Sequence, residues 1–199
     1  MFEPITEDEE ARIGLAGAFI ETHNDSLFIS GTHLCDAEIE SKNLDLLLVN
    51  GTEVPNAKQL CEGLRVGRCI VACIESLDGN ADTVRHVISS MKGKLDSKEM
   101  PNNVDIADIR TLMDNADNLY AFDDQARLID FLTFNAIGDA TSILYLAHGD
   151  VDLEDYGATN KAISNALPPY AYFQSSVFFK GKQQCSAIVG VRRFVSHKG

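Results

Sequence analysis

Residues 142–155 read Ser142-Ile143-Leu144-Tyr145-Leu146-Ala147-His148-Gly149-Asp150-Val151-Asp152-Leu153-Glu154-Asp155. The apolar run 142–147 is short, as buried strands are, and Gly149 punctuates its end. Asp150 and Asp152 then offer side-chain oxygens to the exposed N–H groups of a helix start. The helix predicted from there runs over 153–166 and is stopped by Pro168-Pro169. A buried strand turning into a capped helix is the repeating unit of an α/β protein.

The same alternation extends toward the N-terminus. Residues 12–20 form an apolar run with two glycines, 26–30 a short strand candidate, and 43–50 a strand of Leu and Val closed by Asn50-Gly51. Residues 54–63 have helical spacing, with Ala57, Leu60, Cys61 and Leu64 on one face. Arg68-Cys69-Ile70-Val71-Ala72-Cys73-Ile74 reads as a buried strand, and 81–94 as a helix turning Val84, Val87, Ile88 and Met91 inward. Strands separated by helices favour a parallel sheet.

Residues 92–103 are polar, hold Gly93 and Pro101, and read as a junction between two halves. Beyond it come a helix from Asp105, a strand at 118–122, a helix at 123–137 with Leu128, Leu132 and Ala136 inward, and the unit quoted above. Two long strands, 170–180 and 184–195, finish the chain, and Gly181-Lys182 between them is a hairpin signal. Tyr170, Tyr172, Phe173, Phe178 and Phe179 are expected to make one sheet face aromatic and buried. The expected organisation is an acidic arm over 1–10, a reduced α/β part over 11–100, and an α+β domain with a mixed sheet over 101–199.

Composition narrows the function classes. With 199 residues and 45% hydrophobic content the chain is long enough for a sizeable core. A formal charge of -13 and a pI near 4.7 oppose binding to nucleic acid or to an anionic membrane. No apolar run reaches the roughly 18 residues of a membrane span, and the acidic start is unlike a signal peptide, so membrane insertion is not expected and a cytoplasmic location is. Cys35, Cys61, Cys69, Cys73 and Cys185 form no CxxC pair and have no His at metal-ligand spacing. Reduced, buried thiols are the reading, with no metal.

Asn102-Asn103-Val104-Asp105-Ile106-Ala107-Asp108-Ile109-Arg110-Thr111-Leu112-Met113 is the segment closest to chemistry. Asp105 and Asp108 stand at i and i+3, where like charges repel by a few tenths of a kcal/mol. A helix N-terminus offsets that repulsion, with Asn102 or Asn103 as the expected cap. The segment resembles the synergy loop of the FtsZ/tubulin-like family, in which an Asn-x-Asp-Phe-Ala-Asp stretch leads into a helix. Asn103, Asp105 and Asp108 match its polar positions, and Ile106 replaces the Phe. In that family the loop enters the nucleotide site of the next subunit, where its acids position the water that attacks GTP. From about residue 100 to 195 the order of elements, and the 142–155 stretch in particular, is similar to the FtsZ C-terminal domain.

The resemblance fails in the first half. A phosphate cradle needs glycine-rich turns, since backbone N–H groups must approach the anion without side chains in the way. The family has Gly-Gly-Gly-Thr-Gly-Thr-Gly after a strand. Here the strand Leu44-Asp45-Leu46-Leu47-Leu48-Val49-Asn50-Gly51 continues into Thr52-Glu53-Val54-Pro55-Asn56, with one glycine and with an anion at Glu53. Ile13-Gly14-Leu15-Ala16-Gly17-Ala18 is a weak glycine turn. The resemblance therefore implies a degenerate member: no autonomous GTPase and no cofactor, with Asn103, Asp105 and Asp108 facing a partner that is another copy or an FtsZ-type protein. Asp105 and Asp108 would then be catalytic only in trans.

Other chemistry is sparse. No nucleophile elbow occurs. His23, His33, His86, His148 and His197 are scattered, and His148 reads as a turn residue at a strand end. Asp123-Asp124 reads as an N-cap cluster. A rival function is a small-ligand or enzymatic site in the crevice past the strand ends, at 51–56 and 76–80, where open α/β sheets bind ligands.

Overall fold

The computed structural model describes residues 11–18, 27–64, 66–97, 103–134 and 137–194. The acidic arm, Asn102, His23, His197 and Ala136 lie outside them. Eight strands build one mixed sheet: β1 Ile13–Gly17, β2 Phe28–Ser30, β3 Leu46–Asn50, β4 Ile70–Glu75, β5 Asn118–Phe122, β6 Asp139–His148, β7 Tyr172–Phe178 and β8 Cys185–Arg192, in the order β2-β1-β3-β4-β5-β8-β6-β7. The first five are mutually parallel. Strand β8 runs antiparallel to both β5 and β6, and β6 pairs with β7 in parallel. The expected α/β class, with a parallel first part and a mixed second part, is what forms. A single sheet runs through both.

Six α-helices among the described residues cover it: α1 Asp36–Ser41, α2 Ala57–Gly63, α3 Ala81–Ser97, α4 Ile106–Asp114, α5 Gln125–Phe134 and α6 Leu153–Ala166. Alternation along the strands sorts them into layers. Leu46, Leu48, Ala72, Ile74, Leu119, Leu144, Leu146 and Ile188 pack on one face with Val84, Val87, Ile88 and Met91 of α3 and Ile109 and Leu112 of α4. On the other face Leu47 and Val49 meet Ile39 of α1 and Ala57 of α2, while Ile143, Tyr145, Ala187 and Val189 meet Leu128 and Leu132 of α5 and Ile163 of α6. That second face therefore carries two separate apolar clusters. Their boundary falls over β4 and β5, which pair only at Ile74 with Leu119 and Glu75 with Tyr120.

Helix α6 occupies the expected span and is capped by Asp152, whose Oδ1 accepts from the N–H groups of Glu154 at 2.8 Å and Asp155 at 3.1 Å. Asp150 is not its cap. The polar stretch beginning at Lys92 is helical as far as Ser97, because Met91, Lys94 and Leu95 are buried along α3 and Gly93 lets the ring of Phe178 approach. A Cβ at Gly93 would lie 2.8 Å from Phe178 Cζ.

The hairpin at Gly181-Lys182 does not form. Strand β6 lies between β7 and β8, so the chain leaving β7 crosses the end of β6 before descending as β8. His148, the last residue of β6, supports that crossing. Its Nδ1 is 3.1 Å from the Gln183 carbonyl oxygen, and any Cβ on Gly181 would run into its ring. Burial lowers the His148 pKa against the pull of that carbonyl, so the neutral ring with Nδ1–H as donor is the form that fits. The aromatic residues of the 170–180 stretch do not share one face either: Phe178 joins the α3–α4 side and Phe173 the α5–α6 side, while Tyr170 and Phe179, on either side of β7, are exposed.

Candidate functional site

Two places hold the residues singled out in the sequence, and a third emerges from packing. The first is the start of α4. Asp105, not Asn102 or Asn103, is its N-cap: Oδ1 accepts from Ala107 N at 2.8 Å and Asp108 N at 3.2 Å, and Asp108 Oδ2 accepts in return from Asp105 N at 2.9 Å. This is a capping box built from two aspartates. Val104 before the cap and Ile109 after it are both buried in one cluster, completing a hydrophobic staple. The two like charges are tolerated because each receives main-chain N–H donors at the positive end of the helix. Asp108 Oδ1 also accepts from the Tyr172 hydroxyl at 2.5 Å, and burial followed by this carboxylate raises the Tyr172 pKa. Asp105 Oδ2 makes no hydrogen bond among the described residues, and Asp105 and Asn103 are exposed. The free acceptor at this end is thus Asp105, with Asp108 held from two sides.

The second place is the carboxyl end of β1, β3 and β4, where the turns are laced together. Glu53, whose side chain is 8% exposed, puts Oε2 at 2.8 Å from Ala18 N, just past β1, and its Oε1 on the Arg85 guanidinium of α3. Arg85 pairs with Asp82 as well. Gly17 is required beside it, since a Cβ there would sit 2.6 Å from Glu53 Oε2. Buried Asn50 donates to the Ala81 carbonyl at 3.0 Å and accepts from Thr52 N, and Thr52 Oγ1 accepts from Ser76 N at 2.9 Å. Asp78 accepts from Ser76 Oγ, from Asn80 N and from Arg127, which together lower its pKa to about 2. Within the proposed crevice, Thr52, Glu53, Ser76 and Asp78 thus spend polar groups on internal partners. Asp123-Asp124 is used in the same way, with Asp124 Oδ1 accepting Arg127 N near the start of α5 and Asp123 meeting Thr83 and His86.

The third place is the seam over β4 and β5. A cavity of about 200 Å³ opens there, walled by Val71, Met113, Leu119 and the thiols of Cys61 and Cys73, with Lys58 and Glu75 at its edge. Lys58 spans from α2 to the Asp117 carbonyl at 2.6 Å and to Asn118 Oδ1 at 2.8 Å, tying the two halves of the helical layer. An adjoining hollow of about 440 Å³ continues past Gly51, Asn56, Glu62 and Arg193, so 51–56 reaches the seam and 76–80 does not. Sequence reading assigned Lys58, Cys61, Cys73 and Tyr172 no site role, because nothing in their spacing announces that helix, strand and opposite half converge. Not all thiols are buried as expected: Cys185 is buried, Cys61, Cys69 and Cys73 are half-buried, and Cys35 is exposed. No metal-ligand cluster occurs among the described residues, and none of their helices is long and apolar enough to cross a membrane.

No protein-family model matches the sequence, and no curated protein matches it. Among solved structures, the chain is similar to the W319Y mutant of FtsZ from M. jannaschii, at 19% identity and a TM-score of 0.36 over 80% of this chain and 49% of that one. It is similar also to the empty FtsZ dimer from M. jannaschii, at 19% identity and a TM-score of 0.35 over 80% and 48%. The chain spans about half the length of each. The likeness is a distant one of fold.

Proposed function

We propose that this chain is a non-GTPase protein of FtsZ/tubulin type that acts by protein–protein assembly, joining its own copies or an FtsZ-type filament through the α4 end at Asn103, Asp105 and Asp108. One contact carries the nucleotide-free part of this proposal: the Glu53 carboxylate on Ala18 N. A turn that cradles phosphate must keep its N–H groups free. Here the N–H past β1 is already taken by an internal anion, and that anion is neutralised by Arg85. An arriving phosphate would have to displace a carboxylate and break an ion pair.

The assembly part rests on the resemblance at 102–113 and on the asymmetry between the two aspartates. Asp105 keeps a carboxylate oxygen with no hydrogen bond among the described residues, at an exposed helix start, while both oxygens of Asp108 are engaged, by Asp105 N and by Tyr172. Asp105 is accordingly the contacting acid, in trans, and Asp108 the residue that positions it. Co-sedimentation with an FtsZ-type filament tests this. Wild-type protein is expected in the pellet, and Asp105→Ser, which keeps the cap and loses the charge, is expected to stay in the supernatant. Equal pelleting of both variants would remove Asp105 from the interface.

A second reading rests on the seam cavity, whose apolar walls and polar edge suit a small ligand. A thermal-shift screen with nucleotides and small metabolites separates it from the first, since a filament contact at α4 predicts no shift.

A further inference from the structure

The seam cavity brings together two thiols that are twelve residues apart in sequence and on different elements. Cys61 comes from α2 and Cys73 from the face of β4 that also carries Val71 and Glu75. Both line the opening of about 200 Å³, and each thiol is the strongest influence on the other's acidity. Gly51 makes room for Cys73, because a Cβ there would lie 2.7 Å from its Sγ. We propose that Cys61 and Cys73 form an oxidative modification site, closing to a reversible intrachain disulfide on exposure to hydrogen peroxide.

In this site Cys61 attacks and Cys73 resolves. The interaction with Cys73 lowers the Cys61 pKa in spite of burial and Glu62, and the same interaction, with burial, raises that of Cys73. A more acidic thiol beside a protonated one is the arrangement of an attacking and a resolving cysteine. Cys61 thiolate attacks one peroxide oxygen, the O–O bond breaks, and the departing hydroxide takes a proton to become water, leaving Cys61 as a sulfenic acid. Cys73 sulfur then attacks Cys61 sulfur, the S–O bond breaks, and the hydroxide leaves as a second water with the Cys73 proton. Two thiols are oxidised by two electrons in all, and one peroxide is reduced to two waters.

Cys185 and Cys69 are less suited. Burial raises Cys185 to about 12 and Cys69 to about 11, and the Cys69 thiol donates to the Ile70 carbonyl at 3.6 Å. Cys69 is still the competitor to exclude, since it lines a neighbouring hollow together with Cys61.

The test treats the reduced full chain with one equivalent of hydrogen peroxide, blocks remaining thiols by alkylation, and maps tryptic peptides without reduction. Cleavage after Arg65 and Arg68 separates Cys61 from Cys73, but leaves Cys69 and Cys73 on one peptide. Cys69→Ser and Cys73→Ser variants, checked for native circular dichroism, therefore assign the link. The expected result is a linked peptide lighter by two hydrogens, present in wild type and Cys69→Ser, absent from Cys73→Ser, and reversed by dithiothreitol. Fragmentation of the wild-type peptide gives the same assignment if a variant does not fold. A Cys61–Cys69 link, sulfinic acid at Cys61 without a link, or five thiols still open to alkylation would each overturn it.

Discussion

Glu53 Oε2 lies 2.8 Å from the backbone nitrogen of Ala18, so a carboxylate from the turn after β3 occupies the main-chain donor at the end of β1. The other oxygen meets Arg85, whose side chain is about two-thirds covered. Removing the carboxylate strands the Ala18 donor and leaves Arg85 with Asp82 alone. Glu53→Ala is expected to lower the unfolding free energy by about 2–4 kcal/mol, and Glu53→Gln, which keeps an acceptor for Ala18 N, by less. Urea denaturation of both variants checks the order.

The capping box at α4 makes a graded prediction. Asp105→Ala removes the acceptor for two main-chain N–H groups and should cost about 1 kcal/mol, whereas Asp105→Ser should cost a few tenths. Denaturant midpoints measure this directly. Loss of filament binding in the Ser variant would then be a loss of contact and not of folding.

Gly190 in β8 sits where a side chain has no space. A Cβ there would collide with Ser142 Oγ and lie 2.8 Å from Ala116 Cβ and 3.3 Å from the Leu112 carbonyl oxygen. Gly190→Ala should destabilise by about 1–3 kcal/mol. Gly157 in the middle of α6 has nothing within 4 Å of its Cβ position, so Gly157→Ala should stabilise by about 0.5–1 kcal/mol through helix propensity. Opposite shifts in melting temperature are the outcome to look for.

Asp78 gives a pH dependence with a definite sign. Donors from Ser76, Asn80 N and Arg127 hold its folded pKa at about 2, below the ordinary 3.8. The folded state therefore binds a proton less readily than the unfolded one, and the stabilisation is complete above 3.8 and lost as pH falls through about 2. The difference in unfolding free energy between wild type and Asp78→Asn should shrink over that interval. The side chain is half-exposed, so the effect is small.

Much of this fold was legible because its signals are local. The 153–166 helix announces itself by an acidic cap and a Pro-Pro stop, and Val84, Val87, Ile88 and Met91 show helical spacing on α3, all of them buried. What was illegible depends on distant partners. Gly181-Lys182 resembles a hairpin turn, but β6 intervenes, and only the pairing of Leu144 with both Gln174 and Ile188 reveals it. Lys94 stands where the 81–94 helix meets the polar 92–103 stretch, yet it is buried within α3. Helix α1 buries Ile39 alone, too little to show a period. At the α4 end the acidic pair was visible, but its use as a cap was not, because Asp replaces both members of the usual Ser/Thr and Glu/Gln box. The convergence of Cys61 on Cys73 leaves no trace in spacing at all.

The proposed function requires that this chain assemble without holding a nucleotide of its own. Equilibrium dialysis of the purified protein against labelled GTP with Mg²⁺, followed by phosphate release, tests it most directly. No saturable binding is expected up to about millimolar GTP, weaker than roughly -4 kcal/mol, and no turnover by the chain alone. Saturable binding at about micromolar concentration, near -8 kcal/mol, with GTP hydrolysis by the isolated chain would contradict it.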